Sequence, residues 1–173
     1  MSTVAVNKIE DLSANQNKGV LQVVSAIKED SFTTTSNPTL VDITGMTVTL
    51  TPRSTDSKVL IMANCMLCVG TYGGYGCYVD LVRTIGVTSA TLAKNTDGTT
   101  AALRASIAQV NLQNYEYGHN GLIFLDSPNT TSATTYKLMG YSNGGTFYLN
   151  RRGDTTSDGA VSTITAMEIQ GVI

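Results

Sequence analysis

The chain of 173 residues has the length of a single domain, and it is polar without being charged. Only 14% of its residues are charged, whereas 26 are Thr and 14 are Ser; the 42% that are hydrophobic fall in strand-length runs, which excludes intrinsic disorder. The net charge of −2, with no basic cluster beyond Arg151-Arg152, excludes a nucleic-acid-binding surface, and no apolar stretch approaches the ~18 residues of a membrane span.

Residues 1–19 are predicted to form an N-terminal arm. Val4, Val6 and Ile9 alternate with polar residues, and Asn15–Gly19 then interrupts the pattern. Such a segment is an edge strand or an attachment arm, and the alternative is a frayed terminus. We take the three apolar residues as a candidate tether to a larger assembly. The first residues lack a basic stretch followed by an apolar one, so no secretory signal is predicted and synthesis in a cytoplasm is expected.

The predicted domain, residues 20–173, begins with a strand at Val20–Ile27, and a turn follows at Thr33–Pro38. In the next strand, Leu40–Leu50, apolar residues first occupy odd positions and then even ones. Gly45 stands where that parity changes. Because a shift of one residue turns every side chain to the other face, we predict a β-bulge or a sharp bend at Gly45.

The most continuous apolar strand is predicted at Lys58–Val69, buried on both faces or at a subunit contact, with Val59–Val69 as its most buried part. It contains Cys65 and Cys68, whose spacing matches redox and zinc sites. Side chains three residues apart on a strand point to opposite faces, so the pair can neither chelate one ion nor form a disulfide. Together with Cys77 they are predicted to be buried, apolar cysteines.

A glycine- and tyrosine-rich loop is predicted between Val69 and Gly76. It lacks the Gly-Lys-Ser/Thr ending and the following helix of a phosphate-binding loop. Its tyrosines, with two more tyrosines further along the chain, are candidates for a receptor or partner surface, because tyrosine provides rigid contact area and a hydroxyl group. The alternative is that they serve loop packing and subunit contacts. The candidate residues are Tyr72, Tyr75, Tyr115 and Tyr117.

The rest of the chain is also predicted to consist of strands. Residues 101–112 suit either a short helix or a strand, and we favour the strand. Nine or ten strands result, at the spacing expected of an antiparallel, two-sheet jelly roll, so the predicted fold is an all-β sandwich. The remaining predicted strands are Cys77–Arg83, Thr88–Ala93, Asn120–Leu125, Thr134–Tyr141, Thr146–Asn150 and Val161–Val172, with a turn at Lys94–Gly98.

Catalytic chemistry has little support in the sequence. The single histidine, His119, is predicted in a turn, and with no second histidine and no reactive Cys–His arrangement a nucleophilic triad lacks its base. We expect Asp126 to cap a turn, Glu168 to face solvent or pair with an arginine, and Asp80 to form an inter-strand or inter-subunit salt bridge. Asp154 and Asp158 complete the carboxylates considered, and their loop lacks the ligand spacing of a calcium site. No enzymatic activity, metal or cofactor is expected.

The last third of the chain resembles a family of bacteriophage virion proteins, the small β-structured tips of tail fibres and related head or tail appendages of marine or cyanophage type. The resemblance lies in a progression of hydrophobic-Leu-Asp-Ser-Pro, Thr-Tyr, Gly-Gly-Thr-aromatic, Asn-Arg and Met-Glu-Ile. These motifs occur in Gly121–Pro128, Thr135–Leu138, Gly144–Arg151 and Ser162–Ile169. The likeness of the first half is looser.

This resemblance implies a compact β-sandwich, usually trimeric, at the periphery of a phage particle, with no cofactor and no catalytic residues. The implied partners are further copies of the chain, other virion proteins bound through the N-terminal arm, and a glycan or protein on the host surface. Two functions stay open at this point. One is host attachment at a fibre or appendage tip, and the other is capsid decoration or a head fibre with a purely structural role.

Overall fold

The computed structural model describes residues 19–70, 75–96, 105–110 and 115–170, and it confirms the predicted all-β fold. In this part of the chain no helix has the length and apolarity to cross a membrane. The described residues form eleven strands, against the nine or ten predicted: β1 Val20–Lys28, β2 Phe32–Thr34, β3 Val41–Leu50, β4 Lys58–Val69, β5 Gly76–Ile85, β6 Thr88–Leu92, β7 Ile107–Val110, β8 Tyr117–Asp126, β9 Thr134–Ser142, β10 Phe147–Leu149 and β11 Ser162–Ile169.

The strands make two antiparallel sheets with the topology of a jelly roll. In sheet 1 the strands are ordered β1-β11-β4-β8. On one side of β4, β11 pairs with its first residues and the short strand β10 pairs with its last residues, and β2 pairs in turn with β10. Sheet 2 contains the path β3-β9-β5, and β5 pairs with β7 along its first half and with β6 along its second. This order of strands in two packed sheets is that of a jelly roll.

One hydrophobic core lies between the two sheets. Each strand contributes alternate residues to it, so that in β4 Val59, Ile61 and Ala63 face inward while Leu60 and Met62 face outward. The last five residues of β4 are buried on both faces, as the sequence predicted for this strand. Inward residues from both sheets, such as Leu81 in β5 and Ile164 in β11, complete the core.

The three cysteines are free and buried, which confirms the prediction. Cys65 belongs to the core, whereas Cys68 points to the opposite side of β4. Burial raises the pKa of the Cys65 thiol to about 12 and also raises those of Cys68 and Cys77. The thiols are therefore protonated at neutral pH, and the redox and zinc interpretations remain without support.

The predicted bulge at Gly45 is present. Asp42 pairs with Met139 and Thr47 pairs with Lys137, so an advance of five residues along β3 corresponds to an advance of only two residues along β9. Gly45 has a φ of +89°, which only glycine adopts without strain. The extra residues let Ile43 and Met46 both face the core on either side of the irregularity. The parity change in the sequence is thus the trace of this bulge.

Candidate interaction surfaces

The outward side of sheet 1, here called the outer face, carries an unusual set of exposed apolar side chains. Ile27 on β1 is 62% exposed and Ile123 on β8 is 74% exposed, while Val23 and Leu125 on the same two strands are each 53% exposed. Between them Met62 of β4 is half-buried. Monomeric proteins rarely expose a contiguous apolar patch of this kind unless something binds it.

The strand register arranges the outer face in rungs, each with one residue from β1, β11, β4 and β8. None of the side chains in the three central rungs carries a charge, and apolar residues and threonines make up most of them. In the order of the strands, the rungs are Val23–Met167–Leu60–Leu125, Ser25–Thr165–Met62–Ile123 and Ile27–Thr163–Asn64–Gly121.

A depression of about 580 Å³ interrupts the outer face at Gly121. Its lining includes Met62, Asn64, Ile123, Thr163 and Thr165. It exists because Gly121 has no side chain, and a Cβ built there would come no closer than 3.7 Å to any other part of the protein, at the carbonyl oxygen of Ala63. The depression is therefore bordered by apolar and threonine side chains and open to a group that enters from outside.

The outer face was not predicted from the sequence. A signal for it exists in Leu122–Leu125, which is apolar at every position, and this is the pattern of a strand covered on both faces. In the structure Leu122 and Phe124 pack against the core, whereas Ile123 and Leu125 have no such cover.

The other end of the outer face is covered by the chain itself. After β10, the segment 151–159 leaves the sheet and is closed by a bridge between Arg151 and Gly159. Gly153 lies against Tyr148, the residue of β10 that pairs with Cys68, and Cys68 points outward from β4 and yet has no exposed surface. Arg152 pairs with Asp154 at 2.7 Å and with Asp158 at 3.1 Å within this segment. The open apolar area is therefore confined to the first part of β4.

Three of the candidate tyrosines, Tyr75, Tyr115 and Tyr117, lie at the end of the sandwich where β4 finishes. Tyr75 is 39% exposed and packs so closely on Gly144 that a side chain at that glycine would overlap its ring. Tyr115, with a φ of +57°, and Tyr148 both lie against Gly153, where a Cβ would fall 2.6 and 2.7 Å from their rings.

Tyr117 pairs with Cys68 near the same end of β4, and its hydroxyl is buried with no hydrogen-bond partner in the described part of the chain. Burial raises the pKa of this hydroxyl, and the charge of Asp158 acts in the same direction. Tyr115 and Tyr117 are both half-buried. Tyr72 and the candidate tether residues Val4, Val6 and Ile9 lie outside the described residues.

Asp126 does not cap a turn, and that prediction was wrong. At the end of β8 its carboxylate accepts two hydrogen bonds from Nη1 of Arg83, at 2.8 and 2.9 Å, and a third from the Tyr136 hydroxyl at 2.8 Å. Burial and the neighbouring carboxylate raise the pKa of Tyr136. Both partners come from sheet 2, so the carboxylate joins the two sheets.

Glu168 does not face solvent, which corrects a second prediction. It has no exposed surface, and its carboxylate accepts hydrogen bonds from Ser57 Oγ and the backbone N–H of Arg53, both at 2.7 Å, and from Gln22 Nε2 at 2.5 Å. Burial acts to raise the pKa of Glu168, but the hydrogen bonds from Gln22, Ser57 and Arg53 outweigh it and lower the pKa. This carboxylate therefore closes one end of the core as an anion.

Asp80 forms a salt bridge as predicted, but its partner is Lys94 Nζ, at 3.0 Å, in the segment that follows β6 and not on another strand; Asp80 is fully buried. His119 is not in a turn but inside β8, where it is exposed and pairs with Met66. No group of three or more His, Cys, Asp or Glu side chains that could hold a metal ion occurs in the described ranges. Asp80, Asp126 and Glu168 are each engaged by their own donors and cations.

No protein-family model and no curated protein matches this sequence. Among solved structures the chain is similar to the VP2 subviral particle of infectious bursal disease virus, at 12% identity and a TM-score of 0.44, over 95% of this chain and 42% of that one. The Gx strain of the same virus gives 10% identity and a TM-score of 0.40 over 98% and 46%. Eiger TNF from S. frugiperda gives 9% identity and 0.40 over 87% and 95%.

The chain thus spans less than half the length of the two virus chains that it matches.

Proposed function

We propose that this chain is a non-enzymatic structural protein of a bacteriophage particle, the trimeric tip of a tail fibre or related appendage that takes part in host attachment. The observation that carries the proposal is the uncovered apolar outer face on a jelly roll whose own core is complete. Such a surface suits a subunit that other copies or other particle proteins cover. The motif progression in Gly121–Ile169 supports the phage assignment.

A structural role also agrees with how the chain uses its buried charges. Asp126 and Glu168 hold the two sheets and one end of the core together, and Asp80 is neutralised by Lys94. Each of these carboxylates is engaged by donors or cations of the chain, which is the arrangement of carboxylates that stabilise a fold.

The positions of Gly19 and of the tyrosines support a tip. Gly19 lies beside Gln170 at the end of the sandwich where β4 begins, and an arm formed by the preceding residues would leave the domain from this end. Tyr75 and Tyr148 lie at the end where β4 finishes, about 37 Å away at the rise of an extended strand. An arm at one end and aromatic groups at the other suit attachment to a particle and contact with a host glycan, respectively.

The second candidate function is capsid decoration or a head fibre with a purely structural role. The half-burial of Tyr115 and Tyr117 against the chain itself favours it, because rings packed in this way offer less surface to a receptor. In this case the outer face would still be covered by neighbouring subunits, and the tyrosines would serve loop packing.

Electron microscopy of purified particles labelled with a gold-tagged antibody against this chain tests the proposal. Gold at the ends of tails or fibres supports the attachment role, and regular gold over the head supports decoration instead. Particles without gold overturn the virion assignment. If the gold lies at the ends of tails or fibres, Tyr75→Ala should slow the adsorption of particles to host cells. Val87→Ala, at a turn of sheet 2, is the matched control.

A further inference from the structure

The two outermost strands of the open part of the outer face carry side chains of complementary size. On β1 the outward residues are Val23, Ser25 and Ile27, and on β8 the residues of the same rungs are Leu125, Ile123 and Gly121. A large residue on one strand thus shares its rung with a small residue on the other, at Ile27 with Gly121 and at Ser25 with Ile123. The third rung combines Val23 with the somewhat larger Leu125.

Within one chain these side chains do not contact each other, because β11 and β4 lie between β1 and β8. Their complementary sizes can therefore be matched only by a contact between two copies of the chain. A rotation axis parallel to the strands keeps each rung at its own height. Such an axis in front of the outer face brings β1 of one copy against β8 of the next. Ile27, 62% exposed, then falls at the level of the depression at Gly121.

We propose that copies of this chain assemble through the outer face around a three-fold axis parallel to the strands, with Ile27 of one copy seated in the depression at Gly121 of the next. The inference rests on the proposed function, since it names the surface by which the trimer would form. Along the same contact Ile123 of one copy meets Ser25 of another, and Leu125 meets Val23.

The width of the outer face suits three copies. Four strands spaced about 4.8 Å apart give a face about 19 Å wide. Three such faces around an axis form a triangular prism in which each lies about 5.5 Å from the axis, close to half of the about 10 Å that separates packed sheets. The central side chains, Leu60, Met62 and Met167, would therefore fill the space along the axis.

The chemistry of the face suits a second copy as its occupant. Because the three central rungs carry no charge, bringing identical surfaces together buries no unpaired ion. Thr163, Thr165 and Asn64 supply hydroxyl and amide groups for hydrogen bonds across the contact. A strongly charged partner would find no countercharge on these rungs.

An exchange of large and small residues tests the proposal on the full chain by sedimentation equilibrium. The wild type should be a trimer at micromolar concentration. Gly121→Leu should raise the apparent dissociation constant at least about tenfold by filling the depression. The isolated fold should tolerate this change, because a Cβ at Gly121 meets nothing closer than 3.7 Å. Adding Ile27→Ala to Gly121→Leu should restore association, because the contact regains a large and a small partner.

Val87→Arg is the matched control for Ile123→Arg, since both residues are exposed but Val87 lies at the β5–β6 turn of sheet 2. Ile123→Arg should abolish the trimer and Val87→Arg should preserve it, with circular dichroism confirming that each variant folds. A monomeric or dimeric wild type, or a trimer insensitive to Gly121→Leu, would overturn the inference. If the chain forms this trimer but the gold-tagged antibody does not label the particles, the proposed function is refuted and the inferred subunit contact is not.

Discussion

At the scale of single residues, Glu168 links the stability of the fold to pH. Its pKa in the folded chain lies below the usual value of 4.5, because three hydrogen bonds outweigh the effect of burial. A carboxyl group whose pKa is lowered by folding stabilises the folded state above its unfolded pKa. That contribution disappears as the pH falls through the lowered, folded-state value.

We therefore expect Glu168→Gln to destabilise the chain by about 1–3 kcal/mol at pH 7, since the amide leaves at least one buried donor poorly paired. The difference from wild type should shrink as the pH falls below the unfolded-state pKa of about 4.3, because the unfolded chain then binds a proton that the folded carboxylate binds only at lower pH. Urea unfolding at a series of pH values between 7 and 3 measures this. A difference that stays constant over that range would contradict the assignment.

A second residue-scale prediction concerns Asp126, which is bound by Arg83 and Tyr136. Asp126→Asn leaves the Arg83 guanidinium, whose side chain is only 21% exposed, without its counterion. We expect a loss of about 2–4 kcal/mol in the free energy of unfolding, as found when one partner of a largely buried pair is removed. Chemical denaturation at pH 7 measures it.

The matched control is Asp42→Asn, which breaks the ion pair with Lys137 at 2.7 Å, where the Asp42 side chain is 60% exposed. An exposed pair contributes less than about 1 kcal/mol. Equal effects of the two substitutions would show that Asp126 does not join the sheets in solution.

At the scale of elements, the bulge in β3 makes a prediction about Gly45. Any side chain at its φ of +89° strains the backbone, so Gly45→Ala should cost about 1–3 kcal/mol. Gly159→Ala is the control, because that glycine is exposed and a Cβ there meets only the Asn150 carbonyl oxygen, at 3.9 Å. Urea midpoints compare the two, and a Gly45→Ala protein as stable as the control would argue against a bulge centred on this residue.

Most elements could be predicted from the sequence because strands several residues long show a run of apolar and β-branched residues. The strand Phe32–Thr34 overlaps the predicted turn at Thr33–Pro38 and was not predicted, since three residues are too few to show alternation. That strand exists through its pairing with Phe147–Leu149, more than a hundred residues away. Ile107–Val110 is a strand as favoured, and the rest of the ambiguous segment lies outside the described residues.

The interaction surface was harder to predict, and β11 shows why. Alternation correctly places Glu168 opposite Met167 and Ile169. Hydrophobicity then suggests that Met167 and Ile169 face the core, whereas the core takes Ile164, Ala166 and Glu168. The apolar outer face itself misleads the assignment. Only the donors from Gln22, Arg53 and Ser57, distant in sequence, make the buried carboxylate favourable.

For the whole molecule, the shared core predicts that both sheets unfold together. Cys65 and Cys68 lie in sheet 1 and Cys77 in sheet 2, and all three are fully buried. We expect a thiol reagent at pH 8 to modify none of them in the native chain and all of them in one transition as urea is raised. Mass spectrometry of the labelled chain counts the modified thiols. Labelling of Cys77 before the others would indicate that sheet 2 opens separately.

The position of β11 sets an order of events during synthesis. Ser162–Ile169 is the last of the described strands, and it lies between β1 and β4 in sheet 1. Until the ribosome releases these residues, Ile27 and Gly121 have no common sheet to hold them in register. If copies associate through Ile27 and Gly121 as proposed, a growing chain cannot offer that contact to neighbours on the same polysome until β11 has been made, which would protect the nascent protein from premature entanglement.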